Sequence, residues 1–453
     1  MKELLMDAAS RAARYIETVE DRHVAPRTED VIRLEELGGP MPETPSDPAT
    51  VLAELDEIGS PATMASSGGR FFGFVIGGAL PTTVAANWLA GAWDQNACLR
   101  LSSPVGAVLE DISLEWLRDV LKLPQTTGAG FVTGATMANF TCLAAARHAL
   151  LDRAGWNVEE KGLFGAPLLN VIVGEEVHVA LLKALSMLGL GRSRVVTVTT
   201  DDQGRIRPQL LPALDERSIV CIQAGNVNTG AFDAAEEICA QARGTGAWFH
   251  VDGAFGLWAA ATPERAHLAA GVEQADSWAT DCHKWLNVPY DSGLAFVRVP
   301  QYLHGAMSVS APYLQTTGAR EPWHYTPESS RRARAVEVWA ALRSLGRRGL
   351  AEIIERNCQL ASRFATKLRD YGCTILNDVV LNQVLVSFGD DEKTQQIIRE
   401  VQNEGTCWCG GTQWHGRAAM RISVSNWSTT EEDVDRSAEA IVRVAKMMGA
   451  LKS

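Results

Sequence analysis

Short apolar runs recur through the middle of the chain, at 170–174, 194–199, 218–224, 247–252, 276–280 and 294–299, each rich in Val, Ile, Phe or Trp. Their hydrophobicity is continuous rather than alternating, which predicts strands covered on both faces, as in a mainly parallel α/β sheet. Helical or turn-like sequence separates them. Ser103-Pro104 places Pro in a first turn, and Val105, Val108, Leu109, Ile112, Trp116 and Val120 follow at helical spacing until Pro124 stops the run. Gly128-Ala-Gly-Phe-Val-Thr-Gly-Ala-Thr-Met-Ala-Asn139 reads as a glycine-rich turn feeding another helix.

The two ends follow other patterns. A helical start runs through Ile16, after which Pro26, Pro40, Pro42, Pro45 and Pro48 break the chain. That proline density suits an arm crossing another surface rather than a core segment. Near the other end the pattern predicts a long helix from Ser330 to Gly346 and then a helix through Lys367. Beyond these it predicts a strand at 384–388, a helix around 397–401 and a strand at 420–424. Thr430 and Asp433 have capping-box spacing before a last helix. The expected domains are an arm at 1–60, a large α/β domain at 61–329 and a small α+β domain at 330–453. We find no tandem repeat and no low-complexity tract.

Charge and cysteines narrow the function classes. The 54 acidic residues against 42 basic ones leave a formal charge of −12, unfavourable for binding nucleic acid or an anionic membrane. The nine cysteines are an odd number; only Cys407 and Cys409 lie close together and no second pair completes a zinc site, so no metal is expected. The first 27 residues are charged throughout, unlike a signal peptide, and no run of 18 apolar residues occurs. The expectation is a cytoplasmic protein with reduced thiols and no membrane contact.

Four segments carry candidate chemistry. Lys284 stands just after a predicted strand of an α/β sheet, where ligands bind, flanked by His283 and Trp285 among apolar neighbours. Apolar surroundings favour an uncharged amine, the form that attacks a carbonyl. Asp252, in Phe249-His-Val-Asp-Gly-Ala-Phe-Gly256, ends another strand. A buried carboxylate needs a cationic partner, either a salt-bridging side chain or a protonated pyridine nitrogen, for which Gly253 and Ala254 would leave room. The amides of Ala135, Thr136 and Met137, with the Thr136 hydroxyl, open a helix and would hold a phosphate. Neither a G-x-G-x-x-G fingerprint nor a Walker lysine is present there. His178, in Glu175-Glu-Val-His-Val-Ala180, is either a structural histidine or a ring stacked on a cofactor.

In chain order these are a phosphate cradle, a ring-stacking histidine, an aspartate for a pyridine nitrogen and a Schiff-base lysine. Added to them are Arg70-Phe-Phe-Gly-Phe74, Ser103-Pro104 with Glu110, His250-Val-Asp252, His283-Lys-Trp285 and Ser330-Arg-Arg332. Together they resemble the fold-type I pyridoxal 5'-phosphate (PLP) enzymes, specifically the group II amino-acid decarboxylases related to aromatic-L-amino-acid, histidine and glutamate decarboxylases.

The resemblance implies a large domain with a mainly parallel sheet of the seven-stranded type, a small C-terminal domain and an N-terminal helical arm. It further implies a homodimer with shared active sites. It assigns Lys284 to the Schiff base, Asp252 to the pyridine nitrogen, His178 to one ring face and Ala254 to the other. Ala135 and Thr136 go to the phosphate, with His283 beside the lysine. Asn226, Asn228 and Thr229 occupy a loop that contacts the ring in relatives, which usually carry threonines there. Phe71, Phe72 and Phe74 fall in the substrate-pocket segment and suggest an aromatic or bulky amino acid; a buried arm is the plainer reading.

The implied reaction is decarboxylation of an L-amino acid to an amine, with other PLP outcomes as alternatives: aldehyde-forming oxidative deamination, transamination or carbon–carbon cleavage. The acid that protonates Cα in aromatic decarboxylases is a tyrosine on a mobile loop. The corresponding loop here, 312–328, is short, and His324 and Tyr325 are the nearest candidates. Asp281-Cys282 replaces the usual Asn-Pro before His283, and an acid so close to a phosphate is expected to be repelled unless it turns away. Arg421 is either a carboxylate clamp or structural, and the 407–414 segment reads as a Trp- and Gly-rich turn.

Overall fold

Seven strands form one sheet: β1 (Gly128–Val132), β2 (Asn170–Gly174), β3 (Val196–Val198), β4 (Ser218–Gln223), β5 (Trp248–Asp252), β6 (Ser277–Asp281) and β7 (Gly293–Val297). The computed structural model describes residues 1–309 and 318–451. The strand order is β1-β7-β6-β5-β4-β2-β3. β2 pairs in parallel with β3 and β4, β4 with β5 and β5 with β6. β7 is antiparallel to both β1 and β6, so it alone runs against the rest. Six carboxyl ends therefore point to one edge. The mainly parallel α/β sheet expected from the apolar runs is present, and β1, β5, β6 and β7 are buried along their whole length.

Helix Ala135–Arg153 packs on this sheet with a face of small residues, Ala138, Ala145, Ala146 and Ala149, that allows close approach. Trp278, on β6, is fully buried and donates its indole N–H to the Val272 carbonyl at 2.7 Å. Burying a side chain of that class stabilises the fold by roughly 1.5–3 kcal/mol. In helix Pro104–Val120 the expected start is confirmed: Ser103 Oγ accepts the Gly106 amide at 3.2 Å and Pro104 occupies the first turn. Glu110 from this helix is buried between two guanidiniums, Arg331 Nη2 at 2.5 Å and Arg320 Nη1 at 2.9 Å.

Three local expectations are corrected. The glycine-rich segment opens with β1 rather than a turn: a Cβ at Gly130 would lie 2.0 Å from the Tyr325 carbonyl, and one at Gly128 2.9 Å from Pro300. Glycine serves close packing here. The helix expected from Ser330 begins at Ala335, because Arg331 and Arg334 first carry their side chains to Glu110 and Asp291; it kinks at Gly346 (φ 59°) and runs to Asp370. The 407–414 segment contains β10 (Gly410–Trp414), an edge strand, rather than only a turn.

The chain divides into two compact units that are not contiguous in sequence. One comprises Ala79–Cys358 and Asn377–Gln383 and holds the seven-stranded sheet. The other comprises Met1–Gly78, Gln359–Leu376 and Val384–Ser453. Its four-stranded sheet has the order β10-β11-β9-β8, with β8 at Thr374–Ile375, β9 at Gln383–Ser387 and β11 at Arg417–Ser423. These limits differ from breaks at 60 and 330, because the kinked helix Ala335–Asp370 crosses from one unit into the next. The Thr430 and Asp433 capping box is present. All nine cysteines are buried and free, and among the described residues no helix is long and apolar enough to cross a membrane.

Candidate active site

A cavity of about 410 Å³ opens at the carboxyl edge of the large sheet. It collects residues that follow five of the six co-directional strands, all but β3: Thr133 to Met137 after β1, His178 and Ala180 after β2, Gly225 and Val227 after β4. Asp252, Ala254 and Phe255 come from the end of β5, and Asp281, His283 and Lys284 from the end of β6, with Tyr290 and Gln223 completing the wall. Such an edge is where α/β sheets bind ligands.

Asp252 is held from behind by a directional chain of hydrogen bonds. Its Oδ2 accepts the Asn139 amide N–H at 3.1 Å. Asn139 Oδ1 must then accept, so His250, 2.7 Å away, donates from Nε2 and its Nδ1 is the acceptor. Ser277 Oγ, 2.9 Å from that Nδ1, donates to it and accepts the Trp248 indole N–H at 2.9 Å. Every donor meets an acceptor. Burial pushes the His250 imidazole down to about 3, so the ring is neutral, as the chain requires. Oδ1 of Asp252 accepts the Ala254 amide at 3.3 Å.

Lys284 and Asp281 form an ion pair, Nζ to Oδ2, at 2.9 Å. Asp281 Oδ1 accepts the Ala135 amide at 2.6 Å and lies 3.4 Å from His283 Nε2. This carboxylate does not turn away: it sits at the helix N-terminus, with that amide, Lys284 and His283 against it. His283 Nδ1 accepts the Ser292 amide at 3.1 Å and its ring stacks on Tyr290, centroids 4.2 Å apart. Burial holds the His283 imidazole below its ordinary value. Close packing also explains Gly134, where a Cβ would lie 2.9 Å from His283 Cε1. His178 caps helix Val179–Met187 by accepting the Ala180 amide on Nδ1 at 3.2 Å, which leaves the neutral ring's proton on Nε2.

Lys284, Asp252, His178, Ala254, Ala135, Thr136, Met137 and His283 thus all line one cavity. Asn228 does not; Val227 does, while Asn226 Oδ1 accepts the Asn228 and Thr229 amides and shapes the turn. His324 and Tyr325 also lie off the cavity: His324 packs on His304 at 4.7 Å, and the Tyr325 ring lies under Arg320 at 4.5 Å. The loop's opening residues, 312–317, lie outside the described residues. Phe71, Phe72 and Phe74 belong to the other unit, where Phe71 stacks on Trp408 at 5.1 Å and Phe72 meets Phe364 edge-on at 5.3 Å. Arg421 lies on β11 in that unit. Sequence reasoning missed Tyr290, Phe255, Gln223 and the Asn139–His250 support; only the position of Asn139 in the glycine-rich motif hinted at the last.

The donor set suits a pyridoxal cofactor. Asp252 is buried and faces the cavity, and no Lys or Arg pairs with it among the described residues, which leaves its charge for a cationic ring nitrogen. Lys284 supplies the amine for an aldehyde, and the Ala135 and Thr136 amides form a helix N-terminus for a phosphate. These features define a PLP-dependent enzyme of the α/β type. Residues 34–388 match the model of the pyridoxal-dependent decarboxylase conserved domain, and the chain belongs to that family of PLP-dependent carboxy-lyases.

Among relatives, it is 24% identical to an aromatic-L-amino-acid decarboxylase of Bacillus atrophaeus over 96% of this chain and 93% of that protein. It is 30% identical to a histidine decarboxylase of Drosophila melanogaster over 76% of this chain and 43% of that one. A phenylacetaldehyde synthase of Arabidopsis thaliana is 27% identical over 77% of this chain and 76% of that protein. In fold, it superposes on Oryza sativa TDC crystallised with PLP and tryptamine at a TM-score of 0.90, with 22% identity, covering 99% of this chain and 98% of that one.

Proposed function

We propose that this enzyme removes the carboxylate of an L-amino acid with an aromatic or bulky side chain, releasing carbon dioxide and the amine. The observation that carries the reading is the placement of Lys284, Asp252 and His178 around one cavity, with Asp252 lacking a protein cation among the described residues. Bound PLP supplies the electron sink for the pair left at Cα. The chain's own residues do the rest. Asp252, oriented by Asn139, would hold a proton on the ring nitrogen. Lys284 is the nucleophilic amine, and the Ala135 and Thr136 amides would hold the phosphate. Phe255, with Trp285 behind it at 6.4 Å, makes an apolar wall that limits water. His178 carries its neutral-form proton on Nε2 and lines the cavity, which suits it to orient the substrate or return a proton.

The aromatic preference rests on the family relatives named aromatic-L-amino-acid decarboxylase and tryptophan decarboxylase, and on the aromatic lining from Phe255 and Tyr290. We also infer a homodimer. Helix Lys2–Thr18 buries none of its residues, with Leu5 and Met6 exposed, and Trp88, Leu89 and Trp93 are exposed on helix Pro81–Trp93. Apolar surface of this kind marks contact sites. Sharing of active sites across that dimer and action of His324 or Tyr325 on the partner's cavity belong to the same proposal. Nine free thiols support a reducing, cytoplasmic setting.

A named relative that is an aldehyde synthase makes oxidative deamination the second reading, given that neither His324 nor Tyr325 lines the cavity of its own subunit. Trapping the products of a single turnover with aromatic amino acids separates them. Carbon dioxide with amine supports the proposal; ammonia with aldehyde overturns it in favour of the second reading.

A further inference from the structure

Asp281 has no role in the proposed chemistry, yet it lines the cavity, is 2% exposed and is fully engaged. Its Oδ1 takes the Ala135 amide at 2.6 Å, the first amide of helix Ala135–Arg153. The same oxygen lies 3.4 Å from His283 Nε2, and Oδ2 pairs with Lys284 Nζ at 2.9 Å. These are the groups an anion would use at that helix start. Among the described residues lining the cavity, Lys284 is the one ammonium or guanidinium, so no second such cation is at hand to offset two anions held side by side.

We propose that Asp281 is a built-in occupant of the cofactor's phosphate seat, so that loading PLP requires its carboxylate to be displaced from the Ala135 amide. The inference rests on the PLP reading and adds to it a residue that sets cofactor affinity. Three consequences follow from the geometry. Without cofactor, Asp281 satisfies the helix terminus and balances the Lys284 charge, which stabilises the empty site. With cofactor, the carboxylate and the phosphate compete for one amide and repel each other. Removing the charge while keeping an oxygen acceptor, as in Asp281→Asn, therefore favours the phosphate-bearing cofactor selectively. Pyridoxal, which has the aldehyde and ring but no phosphate, feels only the loss of the Lys284 ion pair.

The test titrates cofactor-free wild type and Asp281→Asn with PLP and with pyridoxal, following the Schiff-base absorbance. The expected result is an affinity ratio, PLP over pyridoxal, that rises about tenfold or more in the variant, equivalent to roughly 1.4 kcal/mol. An unchanged or lowered ratio overturns the proposal. Absence of a Schiff-base band with either ligand in wild type would instead remove the PLP reading itself. Should the variant fail to fold, wild type alone decides. Inorganic phosphate leaves the melting temperature of cofactor-free wild type unmoved if Asp281 fills the seat. A rise of several degrees with phosphate shows the seat open and overturns the proposal.

Discussion

Acid should weaken this fold through one histidine. His250 is fully buried behind Asp252, neutral, with its imidazole pushed down to about 3 by burial. In the unfolded chain the same group titrates near its ordinary value, roughly 6.5. Above that value both states carry a neutral ring and stability is undiminished. As pH falls below it, the unfolded state binds a proton that the folded state refuses, and stability is lost progressively until the folded value is reached. Each pH unit in that window costs about 1.4 kcal/mol. Between pH 7.5 and 5 the loss is therefore about 2 kcal/mol, and about 5 kcal/mol is the ceiling. Against a typical unfolding free energy of roughly 5–15 kcal/mol this is large.

The perturbation is His250→Gln, whose amide can still donate toward Asn139 and accept from Ser277 but does not titrate. Urea unfolding of both proteins at pH 7.5 and 5 gives the double difference, in which all other titrating groups cancel. Wild type should lose about 2 kcal/mol more than the variant over that interval. Equal losses would refute the reasoning and show that His250 accepts a proton within the fold.

Two further outcomes follow from the same geometry. Asn139→Leu strands the His250 Nε2 donor and removes a partner of Asp252 Oδ2, so cofactor dissociation measured by dialysis and absorbance should quicken by about 5- to 100-fold, the equivalent of roughly 1–3 kcal/mol. Glu110→Gln leaves Arg331 and Arg320 without their shared buried carboxylate, which should destabilise the fold by roughly 3–5 kcal/mol and lower the calorimetric melting temperature.

Most of the sheet was legible because β2, β4, β5, β6 and β7 are buried over most or all of their length and so appear as unbroken apolar runs. β1 was not, since its glycines answer to Pro300 and the Tyr325 carbonyl, neighbours distant in sequence. The cavity residues were legible where a side chain lies at or within a few residues of a strand's carboxyl end: His178, Asp252 and Lys284 all do, and all line it. Asn139 and His250 escaped because their function is mutual, resting on a hydrogen-bond chain between a helix and a strand. Asp281 shows the limit of local electrostatic reasoning. Its charge suggested repulsion from a phosphate, but folding places the Ala135 amide and Lys284 against it, which gives the carboxylate partners of its own there. His324, Tyr325 and Asn228 were chosen by likeness to relatives, and the described geometry brings none of them to the cavity.

The central claim is that the Lys284 amine is the group that takes hold of PLP. Borohydride reduction of the PLP-loaded protein, followed by digestion and mass spectrometry, tests it directly. The expected product is a pyridoxyl-phosphate mass on the peptide containing Asp281-Cys-His-Lys284, placed on Lys284; the adduct on any other lysine, or none at all, would rule Lys284 out.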